Sequence, residues 1–439
     1  MTGRPTSPTL EHGTISPTHT DPHSLRRTAG SGYGTMPIAF KRSVIKKDAP
    51  EPTIMQSIRA FVLSSWINLL CVLIPIGFVS HYLHWNGIAI FVINFMAIVP
   101  LAKLLGYATE EVALRLGETV GALVNATFGN AVEVIVSIMA LREGEIRVVQ
   151  TSLIGSILSN ILLVLGFCFF LGGIKYEEQS FNVIAAQTSS SLLTLSVLAL
   201  IIPAAFYSSL PSQADNDTNS RILNLSHATA ILLLVIYILY LIFQLKTHKH
   251  LYIQAPTEGA VTEHEHQDEE EEEEEEEPTM SFPMAIVALV IVTVLVAFHA
   301  EFLVDSIKSV TEGGALSQGF VGLILLPIVG NAAEHVTAVT TAMKNKMELA
   351  IGVAVGSSTQ IALFVIPLLV IIGWGMGQPM TLFFTTFDTI LLFLSILIAN
   401  YLLQDGKSNW LEGAMLLISY AIVAVAVFYY PDTTPAHAA

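Results

Sequence analysis

The chain has 439 residues, 53% of them hydrophobic and 13% charged, with a mean hydropathy of +0.63, which excludes an ordinary soluble domain. Its formal charge of -16 is mostly local, because thirteen carboxylates and no Lys or Arg stand between Glu258 and Glu277; nothing here calls for a nucleic-acid partner. Only two cysteines occur, Cys71 and Cys168, both in apolar runs, so no disulfide framework is expected.

Residues 1–56 are rich in Ser, Thr, Pro, Gly and His and lack an apolar core, so they read as a disordered cytoplasmic arm rather than a cleavable signal. Arg26 and Arg27 with few acids leave a transit peptide as the weaker reading. Apolar runs then recur without strand-like alternation. They predict helices over 66–82, 87–105, 118–141, 148–172, 184–206, 225–245, 281–301, 319–343, 347–374, 380–404 and 409–430, about eleven spans. Inside lipid each backbone polar group must be paired within its own segment, so the expected fold is an all-α, multi-pass membrane protein.

Lys41, Arg42, Lys46, Lys47 and Arg59 precede the first span and place its N-terminal side in the cytoplasm. Alternation then puts Lys103, Arg115, Lys175, Lys246, Lys249, Lys344, Lys346 and Lys407 on that same side, and Arg142, Arg147, Arg221 and Lys308 opposite. The segment Ser208 to Asn224 falls on the lumenal side, where it carries two N-x-S/T sequons, at Asn216 and Asn224.

A repeat lies within the spans. Residues 121–160, beginning GALVNATFGNAVE, align without a gap on residues 322–361, beginning GLILLPIVGNAAE, at a constant offset of 201. Gly121, Gly129, Asn130, Ala131, Glu133, Gly155 and Ser156 match Gly322, Gly330, Asn331, Ala332, Glu334, Gly356 and Ser357. General hydrophobicity would match Leu, Ile and Val instead. An odd number of spans, five, separates the copies, so they enter the membrane from opposite sides. The expected architecture is a peripheral first helix (57–85) followed by two inverted five-helix repeats, 86–245 and 281–430. An acidic cytoplasmic linker, 246–280, joins the repeats, and a lumenal tail occupies 431–439.

Glu133 and Glu334 need an explanation, because an acid at a helix centre costs roughly 2.5–3.5 kcal/mol on insertion scales. Asn130 and Asn331 stand three residues before them on the same helical face. Gly129 and Gly330 remove side chains where backbone must approach an ion and help loosen the helix to free carbonyl oxygens. Two carboxylates, two amide oxygens and nearby carbonyls suit a hard cation: Ca²⁺ first, with Mn²⁺ as a second substrate, and no cysteine for a softer metal. Once the metal leaves, two neighbouring buried carboxylates favour protons, so H⁺ becomes the natural counter-ion. His335 is a candidate relay beside Glu334, against a helix-packing role. Ser156, Ser357 and Gln360 are candidate lining residues of the pocket. Asp388, His299, Glu301 and Asp305 are further polar residues in or near spans, and Asp388 is the best of them for a pathway role. Asp268, Glu269, Glu270, Glu271, Glu272, Glu273, Glu274, Glu275, Glu276 and Glu277 form either a solvated linker or a cation-gathering, calcium-responsive regulatory segment.

GNAVE at 129–133 and GNAAEH at 330–335, with an acidic segment between the halves, resemble the cation/proton exchanger branch of the calcium/cation antiporter superfamily. The resemblance covers roughly residues 57–430 and is close to fungal vacuolar Ca²⁺/H⁺ exchangers. It implies Ca²⁺ binding by Glu133 and Glu334 at the centre of two inverted repeats, a regulatory first helix and a vacuolar membrane. Sodium-coupled relatives usually have Thr-Ser and Pro around the acid, whereas this chain has Gly-Asn-Ala. The reading is therefore a secondary active antiporter working by alternating access. A sodium-coupled Ca²⁺ exchanger and a Ca²⁺-permeable cation channel are the alternatives. No HExxH or GxSxG occurs, and GWGMG at 373–377 follows no strand, so no enzyme is expected.

Overall fold

The computed structural model describes residues 51–209, 216–248, 278–312 and 316–431. The acidic run, most of the N-terminal arm and nearly all of the C-terminal tail lie outside these residues. Nearly all of the described chain is helical, and seven helices are long and apolar enough to cross a membrane. Three pairs of helices bent at a short break bring the number to as many as ten, and Thr386–Leu402 is a shorter apolar helix. Each apolar run of the sequence coincides with one of these segments.

The first segment differs most from a plain span. Helix α1 (Ile54–Val62), closed at its start by a Thr53–Gln56 capping box, turns through 93° into a 3₁₀ segment (Trp66–Val72) and α2 (Leu73–Tyr82). α2 packs on α3 (Gly87–Arg115) and α10 (Phe282–Thr311), the two long helices that lie along each other. A buried polar contact marks that junction: His299 Nδ1 lies 2.7 Å from Asn94 Oδ1, and Gly77 leaves room for both side chains.

The two copies of the sequence motif fold alike locally. Helix α4 (Glu118–Phe128) breaks into α5 (Ala131–Arg142) with a bend of 44° between them. Helices α11 (Gln318–Phe320) and α12 (Leu326–Gly330), joined by a π-helical turn at Val321–Leu325, break into α13 (Ala332–Ala342) with a bend of 60°. Both breaks fall on the motif asparagine, at φ -102°, ψ 25° for Asn130 and φ -95°, ψ 5° for Asn331. This is the bridge region, between helical and extended backbone, where many active-site residues sit.

A long enclosed helix follows each break. α6 (Ile146–Leu158) passes through a π-helical turn at Ser159–Val164 into α7 (Leu165–Lys175). Likewise α14 (Met347–Gln360) passes through a π turn at Ile361–Val365 into α15 (Ile366–Met376). These two segments are 72% buried along their most apolar stretch and form the centre of the bundle. By contrast, α9 (Asn216–Ile242) with its π-helical extension, α10 and α17 (Trp410–Tyr429) are 28% buried there. Their exposed Leu232, Ile238, Val290, Ile418 and Ile422 are suited to lipid.

The remaining elements are α8 (Val183–Ser209) and α16 (Thr386–Leu402). A two-residue antiparallel bridge between β1 (Gln179–Ser180) and β2 (Lys407–Ser408) ties the halves at one end. Two expectations shift. Helix α9 starts at Asn216, so Asn224 stands on a helix rather than in a loop. Helix α16 starts at Thr386 rather than near 380, because residues 381–383 are held in irregular backbone by Gln150, whose amide donates to the carbonyls of Thr381 and Phe383.

Candidate functional site

The breaks bring the motif residues to the middle of the bundle. Glu133 and Glu334 lie in the first turns of α5 and α13, where the unpaired N–H groups of a helix start favour a negative charge. Both are buried, and the Glu334 carboxylate is within electrostatic reach of Glu133 and lies beside Ser357. Neither acid makes an ion pair with a described Lys or Arg. Gly330 is needed for the approach, since a Cβ there would lie 2.9 Å from Glu133 Oε1.

A network of buried polar side chains crosses between the halves. Asn130 Nδ2 donates to Gln360 Oε1 at 2.7 Å, and Ser357 Oγ donates to Asn130 Oδ1 at 3.1 Å. Asn160 Nδ2 in turn donates to Ser357 Oγ at 3.2 Å. In the second copy Asn331 spends its amide N–H on the Pro327 carbonyl one turn back, at 3.1 Å. That leaves Asn331 Oδ1 buried without a donor, and Glu334 Oε2 is in the same condition. Two orphaned buried acceptors are costly unless a donor or a cation meets them.

The sequence candidates separate in space. Glu133, Gly330 and Ser156 line one small cavity with Val136 and Ser152. Asn130, Ser357, Gln360 and Glu334 belong to the polar network beside it. Gly129 sits at the end of α4 against the Asn125 carbonyl, away from the carboxylates. His335 follows Glu334 in sequence but lies on another face of α13, with Nε2 3.3 Å from Ser159 Oγ in the π turn after α6. Asp388 is buried and ion-paired with Arg147, Glu301 pairs with Arg142 at 2.5 Å, and His299 belongs to the α2 junction. Asn160 was not among the sequence candidates; its signal is its position four residues after Ser156, hence on the same face of the helix.

The ligating atoms on offer are carboxylate, amide and hydroxyl oxygens, with two formal negative charges. Among the described residues no group of three or more His, Cys, Asp or Glu could hold a metal. A site of this composition suits a hard cation bound through carboxylates, amide oxygens and carbonyls in exchange for its water, rather than a tightly caged structural metal.

Fold and site together define a helical membrane protein organised around two buried acids on broken helices. The model of the sodium/calcium exchanger protein family matches residues 86–246 and 284–429. A vacuolar calcium ion transporter of Schizosaccharomyces pombe is 48% identical over 374 residues, covering 85% of this chain and 87% of the relative. A Ca(2+)/H(+) antiporter of Aphanothece halophytica is 46% identical, covering 82% of this chain and 96% of its own. The solved structure of native YfkE superposes with a TM-score of 0.69 at 36% identity, over 83% of this chain and 100% of that one. The chain belongs to the sodium/calcium exchanger protein family.

Proposed function

We propose that this protein exchanges Ca²⁺ for H⁺ across an organelle membrane, the vacuolar one, with Ca²⁺ and protons competing for Glu133 and Glu334. The observation that carries this reading is the pair of buried acceptor atoms, Asn331 Oδ1 and Glu334 Oε2, neither of which meets a hydrogen-bond donor. Relatives described as vacuolar calcium transporters and Ca(2+)/H(+) antiporters support the ion pair and the membrane. In this reading the metal takes oxygens from Glu133, Glu334, Asn130, Asn331 and the backbone freed at the two breaks. When it leaves, protons neutralise the carboxylates, so the emptied site can close off from water without a bare buried charge. The N-terminus is cytoplasmic, and the two halves are inverted repeats that expose the site alternately. The same oxygens suit Mn²⁺ as a second cargo.

Competition has a direct signature. Adding Ca²⁺ to the purified protein in weak buffer should release protons, and Na⁺ should not replace Ca²⁺ in doing so. Proton-neutral binding, or competition by Na⁺ in its place, would favour a sodium-coupled exchanger. His335 is assigned the proton relay toward the π turn, through Ser159. His335→Asn should leave the number of protons released unchanged but slow exchange and flatten its pH dependence; an unaltered pH profile would reduce His335 to packing.

A further inference from the structure

Helix α1 has two faces of different character. Its inner face is held to the protein: Ser57 is fully buried, its Oγ accepts from the Ser281 N–H at the start of α10 at 3.1 Å, and the ring of Phe61 lies 6.1 Å from that of Tyr107 in α3. Three segments are knotted together around this seat. The buried Glu111 of α3 accepts from the N–H groups of Thr279 and Met280 at 3.2 and 3.1 Å. Arg115 donates to the Met280 carbonyl at 3.0 Å and pairs at 3.3 Å with Glu51, just before α1. α1 is therefore fixed to the ends of α3 and α10 rather than trailing from the bundle.

Its outer face is apolar and open. Ile54, Ile58 and Val62, spaced four apart, form one stripe with Met55 beside it, and these side chains are 44% to 73% exposed. Arg59, one turn after Met55, is exposed and pairs with no described acid. The bend after α1 is held in place: the Asn68 amide donates to the carbonyls of Phe61 and Val62 at 3.3 and 3.1 Å and to Ser64 Oγ at 3.0 Å. The carbonyls freed at the end of α1 are thus paired, and the helix is kept at 93° to the segment that follows. Past the bend Trp66, Leu69 and Val72 are exposed in turn, as the side of the first span that lipid covers. Between residues 41 and 50 the sequence adds Lys41, Arg42, Lys46 and Lys47 against one acid, Asp48.

We propose that α1 is a lipid-docking helix: its Ile54–Ile58–Val62 stripe lies in the boundary between headgroups and acyl chains, and Arg59 with the basic residues of 41–47 binds anionic phospholipid headgroups. Two observations select a bilayer surface over a protein partner. The stripe leads along the chain into the lipid-covered side of the first span, and the right-angled bend lays α1 in the plane of the interface where that span begins. The basic residues supply the electrostatic attraction that adds to burial of a short apolar face. Assignment to the cytoplasmic leaflet rests on the cytoplasmic N-terminus proposed above; docking itself does not. Through the knot at Ser57, Glu111 and Arg115, the docked helix anchors the start of α10, which packs on α5, the helix of Glu133.

Fluorescence quenching in symmetric vesicles tests this whichever way the chain inserts and whichever ions it carries. The full chain, with Cys71 and Cys168 replaced by alanine, carries Met55→Cys labelled with a bimane fluorophore; Ile54→Cys is the second labelling site should the first fold poorly. Vesicles are made of phosphatidylcholine alone or of phosphatidylcholine mixed with phosphatidylserine. In the mixed vesicles the probe should be shielded from acrylamide in water and quenched by a phospholipid bearing a nitroxide near the top of its acyl chain. Lys46→Gln/Lys47→Gln/Arg59→Gln, with its monodisperse peak intact, should raise acrylamide quenching severalfold in those vesicles. Equal acrylamide access in the two kinds of vesicle would overturn the proposal. Shielding without nitroxide quenching would do so as well, since it would show that a second copy or another part of the chain covers the stripe.

Discussion

Glu334→Gln should reduce Ca²⁺ uptake to background, and Glu133→Gln should do the same. Glutamine keeps the shape of the side chain and one acceptor oxygen, so the change removes charge and little else. A unit charge in contact with a divalent ion contributes on the order of 10 kcal/mol at an effective dielectric of about 20, before water repays part of it. Neighbouring amides cannot restore this, because the oxygens of Asn130 and Asn331 carry no formal charge and a single acid is left to balance a divalent ion. Binding should therefore weaken by several orders of magnitude while the protein stays folded. Losing a buried, unpaired carboxylate costs the folded state nothing by itself. Calorimetric Ca²⁺ titration beside size-exclusion chromatography checks both halves of the statement. Wild-type affinity in either variant would move the site elsewhere.

A second large effect should come from Asp388, through stability rather than ion binding. Its buried carboxylate pairs with Arg147 and stands in the first turn of α16, where Thr385 caps the helix by accepting from the Asp388 N–H. Removing one partner of a buried pair strands the other and costs about 3–5 kcal/mol. Arg147 keeps 17% of its side chain exposed, which points to the lower end. Asp388→Ala should accordingly lower the temperature at which detergent-solubilised protein loses its monodisperse peak. Arg147→Met/Asp388→Leu should recover most of that loss, since an apolar pair of similar size carries no stranded charge. A double variant no more stable than the single one would show that the pair is incidental.

Much of this architecture was legible in the amino-acid order. Apolar runs locate the helices because lipid forces backbone pairing within each segment. Gly-Asn followed by Glu at an offset of 201 locates the breaks and the acids, because polar identities in an apolar run are expensive and so informative. Other features depend on partners distant in the chain. Nothing near Thr381 announces that its carbonyl is taken by Gln150, which delays the start of α16. Asn160 is aligned with Ile361, so a search for repeated residues passes over it although it closes the polar network. Asp388 invites a role in the ion path as an acid near a span, but Arg147 claims it. The difference between α4, which packs along α3, and segment 318–330, which packs on α6, is illegible for the same reason, since the partner helix sets it.

The central claim is coupling of Ca²⁺ to protons through the paired acids, and transport in sodium-free proteoliposomes with an acidic interior tests it most directly. The account predicts radiolabelled Ca²⁺ uptake that requires the pH gradient, collapses when a protonophore dissipates it, and is absent from vesicles carrying Glu133→Gln or Glu334→Gln. Uptake that persists without the gradient, or that survives both substitutions, would contradict it.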